Sequence, residues 1–73
     1  MIKCIITKET DTIEKIYEPE TTMSTIVNDN NINPSKSLYA NSTLVNDFGK
    51  TLGEYSNGED TIYLTSVVKT NNN

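Results

Sequence analysis

The stretch 38–68 constrains the fold most, because it predicts several short strands separated by tight turns. Residues 38–40 and 43–45 each predict a short strand, and the segment 51–55 predicts a compact corner. The last segment, 61–68, alternates in polarity, so one face of a predicted strand carries Ile62, Leu64, Ser66 and Val68. These segments therefore close a small sheet against which the rest of the chain has to pack.

The N-terminal part of the chain predicts a β-hairpin. Residues 1–7 and 12–17 are rich in β-branched side chains, and a short polar segment separates them. Apolar residues occur on both sides of each predicted strand, so the pattern alone does not decide which side faces the core.

A short helix is predicted after this hairpin. Pro19 ends the second strand because proline cannot donate a hydrogen bond to a strand ladder, and Thr21 or Thr22 then caps the helix. The apolar residues that follow recur at the spacing of a single helical stripe: Met23, Ile26 and Val27. The Asn-rich run 28–33 and the proline after it end the helix.

Length and charge limit the kinds of partner. The chain has 73 residues, which predicts a single domain, assigned here to 1–70 with a polar tail at 71–73. Six Lys or Arg residues against ten acidic residues give a net charge of −4, which disfavours nucleic-acid binding. No apolar run has the length of a signal peptide or a membrane span, so a cytoplasmic location without membrane contact is expected.

The available residue types disfavour catalysis and metal binding. The sequence contains no His, so acid–base chemistry would depend on carboxylates, Lys or Tyr. Cys4 lies among isoleucines and is interpreted as a small space-filling hydrophobe. Asp29, Asn31 and Asn33 have the spacing of a calcium loop, but Pro34 stands where an EF-hand requires Gly. We therefore expect no enzyme activity, no catalytic residues, no metal and no cofactor.

Specific residues in this pattern resemble the ubiquitin-like β-grasp family. In the N-terminal third, the residues that coincide with the family prototype without a gap are Met1, Thr7, Thr12, Ile13, Glu18, Pro19 and Thr22. In the C-terminal half, the coinciding residues are Leu38, Leu44, Thr51, Leu52, Tyr55 and those of the segment 61–64. The resemblance implies an α+β fold in which a mixed sheet of four to five strands packs on one short helix.

The resemblance also implies non-covalent protein binding. Conjugated members of the family and the related sulfur carriers need a terminal Gly-Gly, whereas residues 59–73 contain no Gly. The family's main recognition surface is an apolar patch on the exposed sheet face, and the corresponding residues here are Lys8, Tyr39, Tyr63 and Thr65. Tyrosine is enriched at interface hot spots. We therefore expect a protein-binding module. Separately, the residue composition is typical of an AT-rich genome and indicates a bacterial or mobile-element source.

Two other functions stay open on the sequence. One is an atypical ubiquitin-like modifier or sulfur carrier with a different terminus. The other is a phage or plasmid regulator or inhibitor whose acidity imitates nucleic acid. The pair Tyr39 and Tyr63 also has a purely structural interpretation, because cross-strand aromatics commonly stabilise a sheet.

Overall fold

The computed structural model describes residues 1–33 and 35–68 as one sheet and two short helices. The strands are β1 (Ile2–Lys8), β2 (Asp11–Tyr17), β3 (Ser37–Ala40), β4 (Thr43–Leu44) and β5 (Thr61–Val67), and the helices are α1 (Met23–Asp29) and α2 (Leu52–Ser56). This confirms the predicted α+β class, while the tail predicted at 71–73 lies outside the described residues. No helix in the described part of the chain is long and apolar enough to cross a membrane.

The sheet is mixed and has five strands in the order β2-β1-β5-β3-β4. The β1 and β5 strands run parallel, and the other neighbouring pairs are antiparallel. The last strand of the chain is therefore the middle strand of the sheet. The larger of the two predicted strand numbers is confirmed, and so is the mixed pairing.

One side of the sheet, called the inner face here, packs against the helices. Strand residues with even numbers in β1 and β5 form most of it, and the buried apolar residues of these two strands are Ile2, Cys4, Ile6, Ile62 and Leu64. Met23 and Ile26 of α1 and Leu52 of α2 complete the contact. Each fully buried aliphatic side chain contributes roughly 1.5–3 kcal/mol. The structure thus shows which side of each hairpin strand faces the core, which the sequence pattern left open.

The α1 helix forms where the sequence predicts it. The Thr22 hydroxyl oxygen accepts a hydrogen bond from the Thr25 backbone nitrogen, so Thr22 is the cap rather than Thr21. Met23 and Ile26 are fully buried on its inward stripe. A helix of seven residues is marginal by itself. Packing against the sheet is therefore what stabilises it.

The expectation of one helix was incomplete, because the predicted corner is a second helix, α2. Thr51 and Glu54 form a capping box in which each side chain bonds the other residue's backbone nitrogen. Asn57 ends the helix in the left-handed conformation with φ 56°. Helix α2 has only five residues, which is too short to show the apolar repeat from which a helix is predicted.

Candidate protein-binding surface

Three of the four residues predicted to bind a partner lie together on the outer face, the side of the sheet turned away from the helices. Tyr39 of β3 is directly opposite Thr65 of β5, and opposed residues project to the same side of a sheet. Tyr63 precedes Thr65 by two residues on the same strand and therefore shares that side. The alternating burial of β5 confirms this assignment, since the residues between them are buried inward.

The outer face is exposed around the two tyrosines. Tyr63 is 58% exposed, whereas Tyr39 and Thr65 are half-buried. Tyr39, Thr65 and Ser42 line a shallow open depression of about 350 Å³. An aromatic side chain that combines a large apolar surface with a polar hydroxyl is suited to the centre or the rim of an interface.

Two hydrogen bonds with Asn41 hold the backbone of Tyr63 in place. The Asn41 side-chain oxygen accepts from the Tyr63 backbone nitrogen at 2.9 Å, and the Asn41 backbone nitrogen donates to the Tyr63 carbonyl oxygen at 2.8 Å. Asn41 and Ser42 both have positive φ, at 50° and 74°, in the turn between β3 and β4. The turn thus fixes the strand position from which the Tyr63 side chain projects.

Lys8 is not part of this surface, which corrects its predicted place. It is the last residue of β1 and projects to the inner side, where its ammonium group donates to the Asn30 carbonyl oxygen at 2.6 Å. A carbonyl at the end of a helix attracts a cation, because the helix dipole is negative there. Lys8 therefore ties the end of the hairpin to the end of α1.

A polar cleft of about 190 Å³ lies beside Lys8 at this end of the molecule. Lys36 also lines it and forms an ion pair with Glu9. The hydrogen bond and the charge of Lys36 lower the pKa of the Glu9 carboxyl below its usual range. Lys36 and Glu9 therefore neutralise each other at this cleft.

The sequence pattern did not place Ile16 and Leu44 on the outer face, whereas the alternation of the last strand did group Val67 with Tyr63 and Thr65. The exposed apolar side chains on this side, apart from Tyr63, are Ile16, Leu44 and Val67. Leu44 is opposite Tyr39, and Ile16 is opposite Lys3, which forms an ion pair with Glu14 at 3.7 Å. The signal for Ile16 and Leu44 is the cross-strand register, which requires knowing which strands are neighbours.

Cys4 has no surface on which to react. It is fully buried in the core between the sheet and the helices. Burial raises the pKa of its thiol to about 11, so the reactive thiolate is disfavoured at neutral pH. The structure thus confirms the interpretation of Cys4 as a space-filling residue.

Two of the three side chains that have the spacing of a calcium loop, those of Asp29 and Asn33, form other hydrogen bonds. Asp29 accepts a hydrogen bond from the Tyr17 hydroxyl, and Asn33 accepts from the Ser35 backbone nitrogen at 2.9 Å. Within residues 1–33 and 35–68, no three His, Cys, Asp or Glu side chains come close enough together to hold a metal ion.

Comparison with known proteins did not assign this chain to a family. A scan against models of protein families found no match, and a search of curated proteins found no significant similarity. Inference about function therefore rests on the outer face and its geometry.

Proposed function

We propose that this chain is a ubiquitin-like β-grasp protein that binds another protein non-covalently through the outer face of its sheet. The five-stranded mixed sheet, with its N-terminal hairpin and its closing strand beside β1, is compatible with that fold. The residues that resemble the family occur along most of the chain, which supports the same fold.

The exposed tyrosine at the middle of the sheet carries the functional part of the proposal. Tyr63 belongs to the middle strand and is 58% exposed, so its ring is open to a partner at the centre of the outer face. Leu44 and Val67 extend the apolar area along the same side. Exposed apolar area bordered by polar residues is typical of a protein-interaction site.

Polar groups around the tyrosines supply the specificity that such a site needs. Thr65 lies opposite Tyr39, and the ion pair of Lys3 and Glu14 occupies the adjacent part of the face. Interfaces commonly combine a central aromatic anchor with a hydrogen-bonding rim. The outer face combines an aromatic centre with polar neighbours even though Lys8 is not part of it.

The experiment is to isolate a partner by affinity purification and then measure its affinity for single variants by calorimetry. We expect Tyr63→Ala to weaken binding by about thirtyfold, the effect of a hot-spot residue, and Tyr39→Ala to weaken it by a smaller factor. Phe48→Ala is the matched control, because Phe48 is 39% exposed but lies beside α1 on the other layer. Affinity that stays unchanged in both tyrosine variants would show that the outer face is not the binding site.

A further inference from the structure

Strand β2 is an open edge of the sheet in the described part of the chain. It is the terminal strand in the sheet order and contains seven residues, whereas β4 at the opposite edge contains two. An edge strand presents unpaired backbone N–H and C=O groups that can bond a further strand. The very short β4 offers little of this, so β2 is the edge with room for a partner strand.

The side chains of β2 include a charge that ordinarily opposes such pairing. Lys15 projects to the inner side, opposite Cys4 of β1, and an inward-facing charge on an edge strand deters contact with another sheet. Its nearest carboxylate is Asp29 at 3.9 Å, and both side chains of this pair are about half exposed. A strand added at this edge therefore has to supply a compatible partner for Lys15.

Symmetry restricts how β2 can pair with a second β2. Side chains alternate between the two faces of a strand, and directly opposed residues project to the same side. The two outer faces therefore stay on one side only if the two-fold axis passes between a residue and the same residue of the second copy, which is called the centre of the register here. A centre at Glu14 opposes Glu14 to itself, and a centre at Lys15 opposes Lys15 to itself. Like charges directly opposite each other destabilise a sheet. Both of these registers are therefore disfavoured.

A centre at Ile13 gives the complementary register. It opposes Ile13 to Ile13 of the second copy, and it opposes Asp11 to Lys15 twice, once on each side of the two-fold axis. On the outer side, Thr12 then opposes Glu14 without like-charge repulsion. Aliphatic and opposite-charge pairs are the cross-strand pairs that stabilise antiparallel strands. Within β2, this is the register in which Lys15 meets an acidic residue.

We propose that two copies of this chain associate through antiparallel pairing of their β2 strands, centred on Ile13, into one continuous sheet. The two-fold axis of this dimer is perpendicular to the sheet, so both outer faces point to the same side. The dimer then offers two copies of the Tyr63 surface to a partner that carries two sites, which raises its apparent affinity.

Sedimentation equilibrium of the full chain, without any partner, tests the charge pairing. We expect a monomer–dimer equilibrium whose dissociation constant increases about tenfold in Asp11→Lys, because two attractive pairs become repulsive. The double variant Asp11→Lys/Lys15→Asp should restore dimerisation. Glu59→Lys changes the net charge equally but lies in the loop before β5, so it should leave the dimer intact. Monomer at every concentration, or a dimer insensitive to Asp11→Lys, would overturn the proposal.

Disulfide formation tests the register independently. Ile13→Cys should oxidise to a covalent dimer, because opposed residues in antiparallel strands have the Cα separation that a disulfide requires. Thr12→Cys should cross-link poorly, since its opposite residue is Glu14, and the wild type should not cross-link, since Cys4 is fully buried. Equal cross-linking through Thr12→Cys would contradict the register. These readouts need no partner protein, so they can fail while the proposed function holds.

Discussion

A small polar cluster joins the hairpin to the end of α1 through individual side chains. Asn30 is only 5% exposed, and its amide nitrogen donates to the Ile26 carbonyl oxygen and to the Tyr17 hydroxyl oxygen, both at 2.9 Å. The Tyr17 hydroxyl in turn donates to Asp29. Burial is the main cause, and the hydrogen bond to Asp29 the second cause, that raises the pKa of Tyr17 to about 12. The cluster therefore depends on a neutral, protonated Tyr17.

Removing the Tyr17 hydroxyl tests the value of this cluster. Tyr17→Phe leaves one Asn30 amide hydrogen without its partner in a buried position, which should cost about 1–2 kcal/mol of unfolding free energy. Urea denaturation measures this loss. Tyr63→Phe is the matched control, because the Tyr63 side chain is largely exposed and should change stability little. If Tyr17→Phe changed the unfolding free energy as little as Tyr63→Phe, the cluster would contribute no stability.

Cys4 gives the fold a specific sensitivity to alkaline pH. In the unfolded chain the thiol has its ordinary pKa of 9.0, whereas burial in the folded protein raises the pKa to about 11. A raised pKa means that the stability from the buried neutral thiol is complete below pH 9 and is lost as the pH rises toward 11. The loss should be about 2 to 3 kcal/mol.

Urea denaturation of the wild type below pH 9 and near pH 11 measures the effect of Cys4. Cys4→Ala should be less stable at neutral pH, because it leaves a small cavity, but should lose less stability between the two pH values. Tyr17 contributes to the alkaline loss in both proteins, so the difference between them reports the thiol together with the small effect of the Cys4 charge on the pKa of Tyr17. Parallel pH profiles of the two proteins would contradict this account.

At the scale of elements, each helix depends on its N-terminal threonine. Thr51→Ala removes the oxygen that accepts from the Glu54 backbone nitrogen at 3.2 Å and breaks the capping box of α2. We expect a loss of about 1 kcal/mol in unfolding free energy, measured by urea denaturation. Ser24→Ala, at an exposed position inside α1, should be neutral or slightly stabilising. The interpretation of Thr51 as a cap would be wrong if both variants behaved alike.

Local sequence patterns predicted where the strands and α1 lie, but they did not predict which residues from distant segments come together. The β-branched hairpin strands and the threonine-capped α1 follow from the sequence, because propensity and capping act over a few residues. The predicted place of Lys8 was wrong, since the end of α1 that attracts its side chain is distant in sequence. Ile16 and Leu44 were missed for a related reason, because the outer face combines residues from strands that only the register brings together.

At the scale of the whole molecule, a small core supports an exposed apolar face. Among residues 1–33 and 35–68, twelve hydrophobic residues are buried, and most project from the inner side of the sheet or from the helices toward it. A domain of this length buries only about 60% of the surface that its unfolded chain exposes, so its stability margin is small. The exposed apolar side chains of the outer face lie outside this core, so they add little to the stability of the domain.

Variants of the neighbouring residues Tyr63 and Leu64 distinguish a surface role from a role in folding. Leu64→Ala removes a fully buried side chain from the middle strand and should cost about 2–5 kcal/mol, which is on the order of the total stability of a small domain. Tyr63→Ala changes an exposed side chain on the same strand and should cost under about 1 kcal/mol. Thermal unfolding followed by circular dichroism should thus show a folded Tyr63→Ala protein and a largely unfolded Leu64→Ala protein. If Tyr63→Ala were as destabilising as Leu64→Ala, the tyrosine would be a structural residue of the sheet, and the outer face would lose its main support as a binding surface.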